Sequence, residues 1–97
     1  MEPKTIIDVV EFGLTDMADP TEATALAERV ADGLDQGHVV LDVRGAAAIT
    51  TAFGNLFFAT LFSRCGADRV RQGLGFRTAN EVQREVIRRS IRAALPR

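Results

Sequence analysis

The run LDVRGAAAITTAFGNLFFATLF, Leu41 to Phe62, sets two hydroxyls side by side, Thr50 and Thr51, where an apolar strand gives way to a Phe-rich helix. A threonine at such a joint accepts a hydrogen bond from one of the free backbone N–H groups of the first helical turn. Capping needs only one hydroxyl. A second one stands in the positive field of the helix N-terminus, where an added phosphate is locally stabilised and presents new charge outward. Plain capping and a regulatory phospho-acceptor at Thr50 or Thr51 are both open.

Other chemistry is sparse. Asp42 sits near the C-terminal end of the same strand, where α/β proteins often place reactive groups. Its alternative role is to accept backbone N–H bonds in the following loop, and no second carboxylate or base is placed to work with it. His38 is the only histidine and Cys65 the only cysteine, too few for a zinc cluster or a Cys-His nucleophile pair. The Gly73–Leu74–Gly75 run lacks the third glycine and helix start of a dinucleotide fingerprint. These residues argue against an enzyme and call for no cofactor and no metal.

The elements that must position the joint follow from patterning. TIIDVVEF, Thr5 to Phe12, is rich in β-branched residues and reads as a strand. Asp19 and Pro20 open a helix whose Ala23, Leu26, Ala27, Val30 and Leu34 form one apolar stripe, and Gly37 ends it. HVVLDV, His38 to Val43, is almost wholly apolar, as for a strand covered on both faces. A helix from about Thr51 to Cys65 stops at Gly66, and VRQGLGF, Val70 to Phe76, reads as a third strand. Thr78 or Asn80 caps a last helix that buries Val82, Val86, Ile87, Ile91 and Leu95 and keeps Arg84, Arg88, Arg89 and Arg92 outside. The order β-α-β-α-β-α predicts a single α/β domain over 1–97, with a mixed or parallel sheet of three or four strands and helices packed on it.

Composition narrows the setting. No apolar run approaches the roughly 20 residues of a membrane span, no N-terminal signal pattern is present, and a lone cysteine suits a reducing cytoplasm. The net charge of −1 conceals a split: residues 1–48 carry ten acidic and three basic side chains, residues 49–97 three acidic and nine basic. Such halves attract each other within or between molecules, which admits a homo-oligomer. A nucleic-acid surface on the C-terminal arginines is disfavoured, since the chain has no Tyr or Trp for stacking.

The segment LDVRGAAAITTAFGNLF, preceded by EFG and EATALAERV and followed by RTANEVQREVIRRSI, resembles the STAS-like domain family. These are small bacterial relatives of the sulfate-transporter and anti-sigma-factor-antagonist domains, largely of unknown function. The similarity runs from about Phe12 to Ala94. In the antagonists, the corresponding joint carries a serine or threonine phosphorylated by a histidine-kinase-like ATPase, which decides whether the partner is bound. The resemblance thus implies a regulatory role for Thr50 and Thr51, with Asp42 as the neighbouring acid. It also implies a partner of the histidine-kinase-like ATPase or anti-sigma kinase type. Here the run is Ile-Thr-Thr-Ala-Phe, without the antagonists' acidic residue before the hydroxyls or glycine after them.

One further clue lies in the helix itself. At about 100° per residue, Phe53, Phe57, Phe58, Leu61 and Phe62 fan over roughly half its circumference, more than one sheet face covers. Either the helix is wedged between the sheet and a neighbouring helix, or Phe58 and Phe62, beside Asn55, border a docking surface. The expectation is a non-catalytic protein-interaction module that docks a partner through the joint and this helix.

Overall fold

The computed structural model describes residues 4–14 and 16–95, so the two ends of the expected domain and Thr15 lie outside the description. In chain order the elements are β1 (Lys4–Asp8), β2 (Asp16–Met17), α1 (Pro20–Gln36), β3 (His38–Asp42) and β4 (Ala48–Ile49). Then follow α2 (Thr51–Cys65), α3 (Ala67–Gly73), β5 (Leu74–Arg77) and α4 (Glu81–Ala94). β1, β3 and β5 form one parallel sheet in that order, with Ile7 opposite Leu41 and Leu41 opposite Phe76. The main frame is the α/β arrangement the patterning predicts, and the sheet is parallel.

Each correction to the sequence reading has a local cause. β1 stops at Asp8 because its carboxylate Oδ1 accepts the Val10 N–H at 2.9 Å, and the Asp8 carbonyl takes the Phe12 N–H. That side-chain turn bends the chain away before Phe12. β2 and β4 pair with each other in parallel and are two residues long, too short to leave a periodic trace. The segment expected as a strand from Val70 begins as helix α3, and only Leu74–Arg77 is extended. Val70 is buried through a helical face, so an apolar residue near strand residues was assigned the wrong period. Asn80, not Thr78, caps α4, its Oδ1 accepting the Gln83 N–H at 2.9 Å.

Successive strands step across the sheet in one direction, and right-handed crossovers then place every connecting helix on one face. Gly33 of α1 lies so close to β3 that a Cβ there would sit 2.7 Å from Val39 Cγ2. Leu41 and Phe76 face Phe57, Phe58 and Ile87 of α2 and α4. The helix layer therefore covers Thr5, Ile7, Val39, Leu41, Leu74 and Phe76. Leu26, Val30 and Leu34 of α1 are fully buried against it, each stabilising the fold by about 1.5–3 kcal/mol. The acidic α1 ends without a basic residue in its last turn; instead Arg69 of α3 donates to the carbonyls of Leu34 and Gly37.

Helix α2 runs between α1 and α4. Its Arg64 reaches Glu28 of α1, while Gly54 meets Ser90 of α4. A Cβ on Gly54 would stand 2.2 Å from Ser90 Oγ and 2.9 Å from Ser90 Cβ, so these helices touch nearly backbone to backbone. Ser90 is 0 % exposed, and its hydroxyl has no hydrogen-bond partner among the described residues. Gly54→Ala should therefore destabilise the protein by about 1–3 kcal/mol through overpacking. Ser90→Ala should be near neutral, because the lost hydroxyl had no bond to lose. In a Ser90→Gly background the Gly54→Ala penalty should shrink. Urea unfolding of the four proteins in this cycle checks the coupling, and additive effects would refute the contact.

Candidate functional site

The joint is assembled from four pieces of chain. β3 delivers Asp42 to the C-terminal edge of the sheet, residues 43–47 turn, β4 pairs with β2, and α2 begins. Thr50 has extended backbone and is the cap: its Oγ1 accepts the Phe53 N–H at 3.1 Å and donates to the Met17 carbonyl at 3.3 Å. Its own N–H donates to the same carbonyl at 3.0 Å. Thr50 thus serves both the helix start and the small second sheet. Thr51 is the first helical residue, exposed, and its hydroxyl makes no hydrogen bond to the described residues. No acidic side chain occupies the first turn of α2.

Asp42 is committed elsewhere. Its Oδ1 accepts the Arg44 N–H and the Arg44 Nε–H, both at 3.0 Å, and its Oδ2 accepts from Nη2 at 2.8 Å. The Arg44 guanidinium holds the Asp42 carboxyl below its usual range, and this outweighs the opposing effect of burial. The carboxylate is therefore a charged anchor for the turn, and both of its oxygens are occupied. Burial pushes the Cys65 thiol up, which disfavours its thiolate. Among the described residues no three His, Cys, Asp or Glu side chains gather as a metal site requires.

Gln83 closes the joint from the other side. Its Nε2 donates to the carbonyls of Val43 and Ala46 at 3.1 and 3.2 Å, and its Oε1 accepts the Ala79 N–H at 2.8 Å. One buried amide thus ties the turn to the start of α4. Between turn and helix lies a groove of about 300 Å³, lined by Arg44, Ala47, Ala48, Asn80, Val82 and Val86 among others. Val82, expected in the core, is 73 % exposed at its rim. The first turn of α4 packs on the turn rather than on the sheet, and Gln83 takes the inward position instead.

The residues expected to border a docking surface on the Phe-rich helix divide: Phe58 is interior, while Asn55 and Phe62 are half-buried. Phe58 is 3 % exposed, stacked on Phe57 with centroids 4.9 Å apart and edge-on to Phe76 at 5.8 Å. Phe62 is half-buried against it. A helix flanked by two others needs a wider apolar arc than one lying alone on a sheet, which accounts for the four phenylalanines. Asn55 is half-buried, and its Oδ1 has no hydrogen-bond partner among the described residues. The structure thus leaves Thr50 and Thr51 at the start of α2, outside the lining of the groove, and puts Phe58 in the interior.

Three contributors escaped the sequence reading. Arg44 was signalled by its position two residues after Asp42 at a strand exit. Gln83 and Val82 were not separable on the helical pattern, because the inward turn of a polar residue depends on which carbonyls the loop leaves unpaired. Compared with protein-family models, with curated proteins and with solved structures, the chain matches none.

Two stability measurements test this geometry. Thr50→Ala should cost about 0.5–2 kcal/mol, and Thr51→Ala should stay within about 0.5 kcal/mol of the parent, as read by urea unfolding. Equal losses would show that the cap is misassigned. The second concerns acid. A carboxylate with a depressed folded-state pKa contributes stability that is complete above its unfolded pKa of about 3.9 and vanishes as pH falls through the folded value. Asp42→Asn should therefore be less stable than the parent at neutral pH, and the gap should narrow as pH falls below about 4. A constant gap between pH 7 and pH 2.5, both taken as approximate settings, would contradict the ion pair.

Proposed function

We propose that the protein is a non-catalytic regulatory module that docks a protein partner in the cytoplasm through the strand-to-helix joint. The observation carrying this is the division of labour between the threonines. Thr50 performs the capping, so Thr51 stands exposed at a helix N-terminus with no structural duty of its own. The turn that precedes the threonines borders a groove with an exposed apolar rim at Val82, a surface that a folded monomer gains nothing from leaving in water. The resemblance to anti-sigma-factor antagonists suggests the partner class, an ATPase of the histidine-kinase-like type or an anti-sigma-type kinase. Phosphorylation of Thr51 is the secondary form of this reading. The phosphate would meet the positive helix end, and no acidic residue in that turn would repel it.

Partner capture tests the reading. The immobilised protein is exposed to lysate, the retained ATPase is identified by mass spectrometry, and its purified form is titrated against variants. Val82→Glu should weaken binding at least about tenfold, equivalent to 1.4 kcal/mol, while the melting temperature holds. Thr51→Asp should change affinity strongly with the fold intact, whereas Thr50→Ala should chiefly lower stability. If affinity merely follows melting temperature across these variants, the joint is a structural corner and the proposal fails.

A further inference from the structure

The helix layer covers one face of the parallel sheet, and none of the described helices covers the other. Lys4, Ile6 and Asp8 of β1, His38, Val40 and Asp42 of β3, and Gly75 and Arg77 of β5 alternate with the core residues on the other face, where Asp42 is buried by the Arg44 guanidinium. In register, Ile6 lies beside Val40 and Val40 beside Gly75, an apolar centre across all three strands. Ile6 is 51 % exposed and Val40 is half-buried. No helix among the described residues lies over this face. All-parallel sheets are almost always covered on both sides, because their strands carry apolar residues on both.

We propose that a second copy of this chain covers it, open face to open face, about a two-fold axis lying across the strands at the level of Ile6 and Val40. The face shares Asp42 with the joint, but its apolar centre at Ile6 and Val40 does not line the groove, so the inference does not depend on the docking reading. The charges select the occupant and its orientation. On β1, Lys4 and Asp8 flank Ile6 symmetrically, two residues to either side. A two-fold across the strands runs the two sheets antiparallel and sets Ile6 on Ile6, Val40 on Val40, and Lys4 of each copy against Asp8 of the other. Stacked sheets lie about 10 Å apart, within reach of a lysine opposite a carboxylate. The alternative two-fold, along the strands, would set Asp8 against Arg77 but leave Lys4 level with Gly73, with no opposite charge to meet. Lys4 has no ion pair with another described residue. Strand spacing and rise make the face about 14 by 17 Å, well below the roughly 800 Å² per partner of a stable interface. The dimer is therefore weak and reversible, and salt weakens it further.

Sedimentation equilibrium on the full chain, from micromolar to about millimolar protein, tests this. The parent should pass from monomer to dimer, less readily at high salt. Lys4→Glu and Asp8→Lys should each remain monomeric, since each sets like charges together twice. An equimolar mixture of the two variants should regain the dimer, because every cross-contact is then opposite in charge. Asp8→Lys also removes the acceptor of the Val10 N–H; Asp8→Asn retains one and should weaken the dimer less. Melting temperatures show which variants are folded. Val40→Lys separates face from edge: it lies on the central strand, so it abolishes a stacked dimer and leaves pairing along the β1 edge intact. A parent that stays monomeric throughout, a mixture that fails to associate, or a dimer that survives Val40→Lys would each overturn the proposal.

Discussion

The handedness of the crossovers governs this molecule. Three parallel strands added in one direction, each return being right-handed, leave the helices no choice of side. Three main helices must then share the width of a three-stranded sheet, and the middle one is squeezed. From this come the broad apolar arc of α2, the Phe57–Phe58 stack, and the approach of Gly54 to Ser90 so close that no methyl fits between. The bare reverse face is the other product of the same constraint. One topological rule thus explains both the close packing of α2 on α4 and the uncovered sheet face.

The C-terminal edge of the sheet is held by small polar devices rather than by bulk. Asp42 grips Arg44, Thr50 closes on Met17 and Phe53, and Gln83 takes two carbonyls of the turn. Each satisfies backbone groups that a turn of this length cannot pair by itself. The result is a hydrogen-bonded corner carrying alanines, an uncommitted threonine and an exposed valine. Short side chains have little entropy to lose on recognition by a partner.

The sequence disclosed the frame where residues speak through periodicity or chemistry. The Asp19–Pro20 start, the stripe Ala23 to Leu34, the strand His38 to Asp42 and the helix from Thr51 to Cys65 were legible for this reason. Where two roles shared one residue type, the reading was split and only coordinates could divide it, as with Thr50 and Thr51. It failed where tertiary pairing overrode local pattern. Two-residue strands have no period, Val70 near a glycine-rich strand was helical, and Gln83 displaced Val82 from the interior. The bare sheet face was equally hidden, because Ile6 and Val40 look like core until strand order is known.

Helix α4 is attached in an unusual way: the two most buried of its side chains are Gln83 and Ser90, both polar, while Val86, Ile87 and Ile91 are only half-buried. Its Arg84, Arg88 and Arg89 pair with Glu81 and Glu85 of the same helix and make no ion pair with the other described elements. An element held by few buried apolar contacts is among the first to open in sub-global fluctuations of the native state. The wall of the groove that bears Val82 therefore lies on an element expected to open before the core. A partner seated there would restrain that opening, and its binding energy would be written into slower amide exchange along the whole of α4, far beyond the residues it touches.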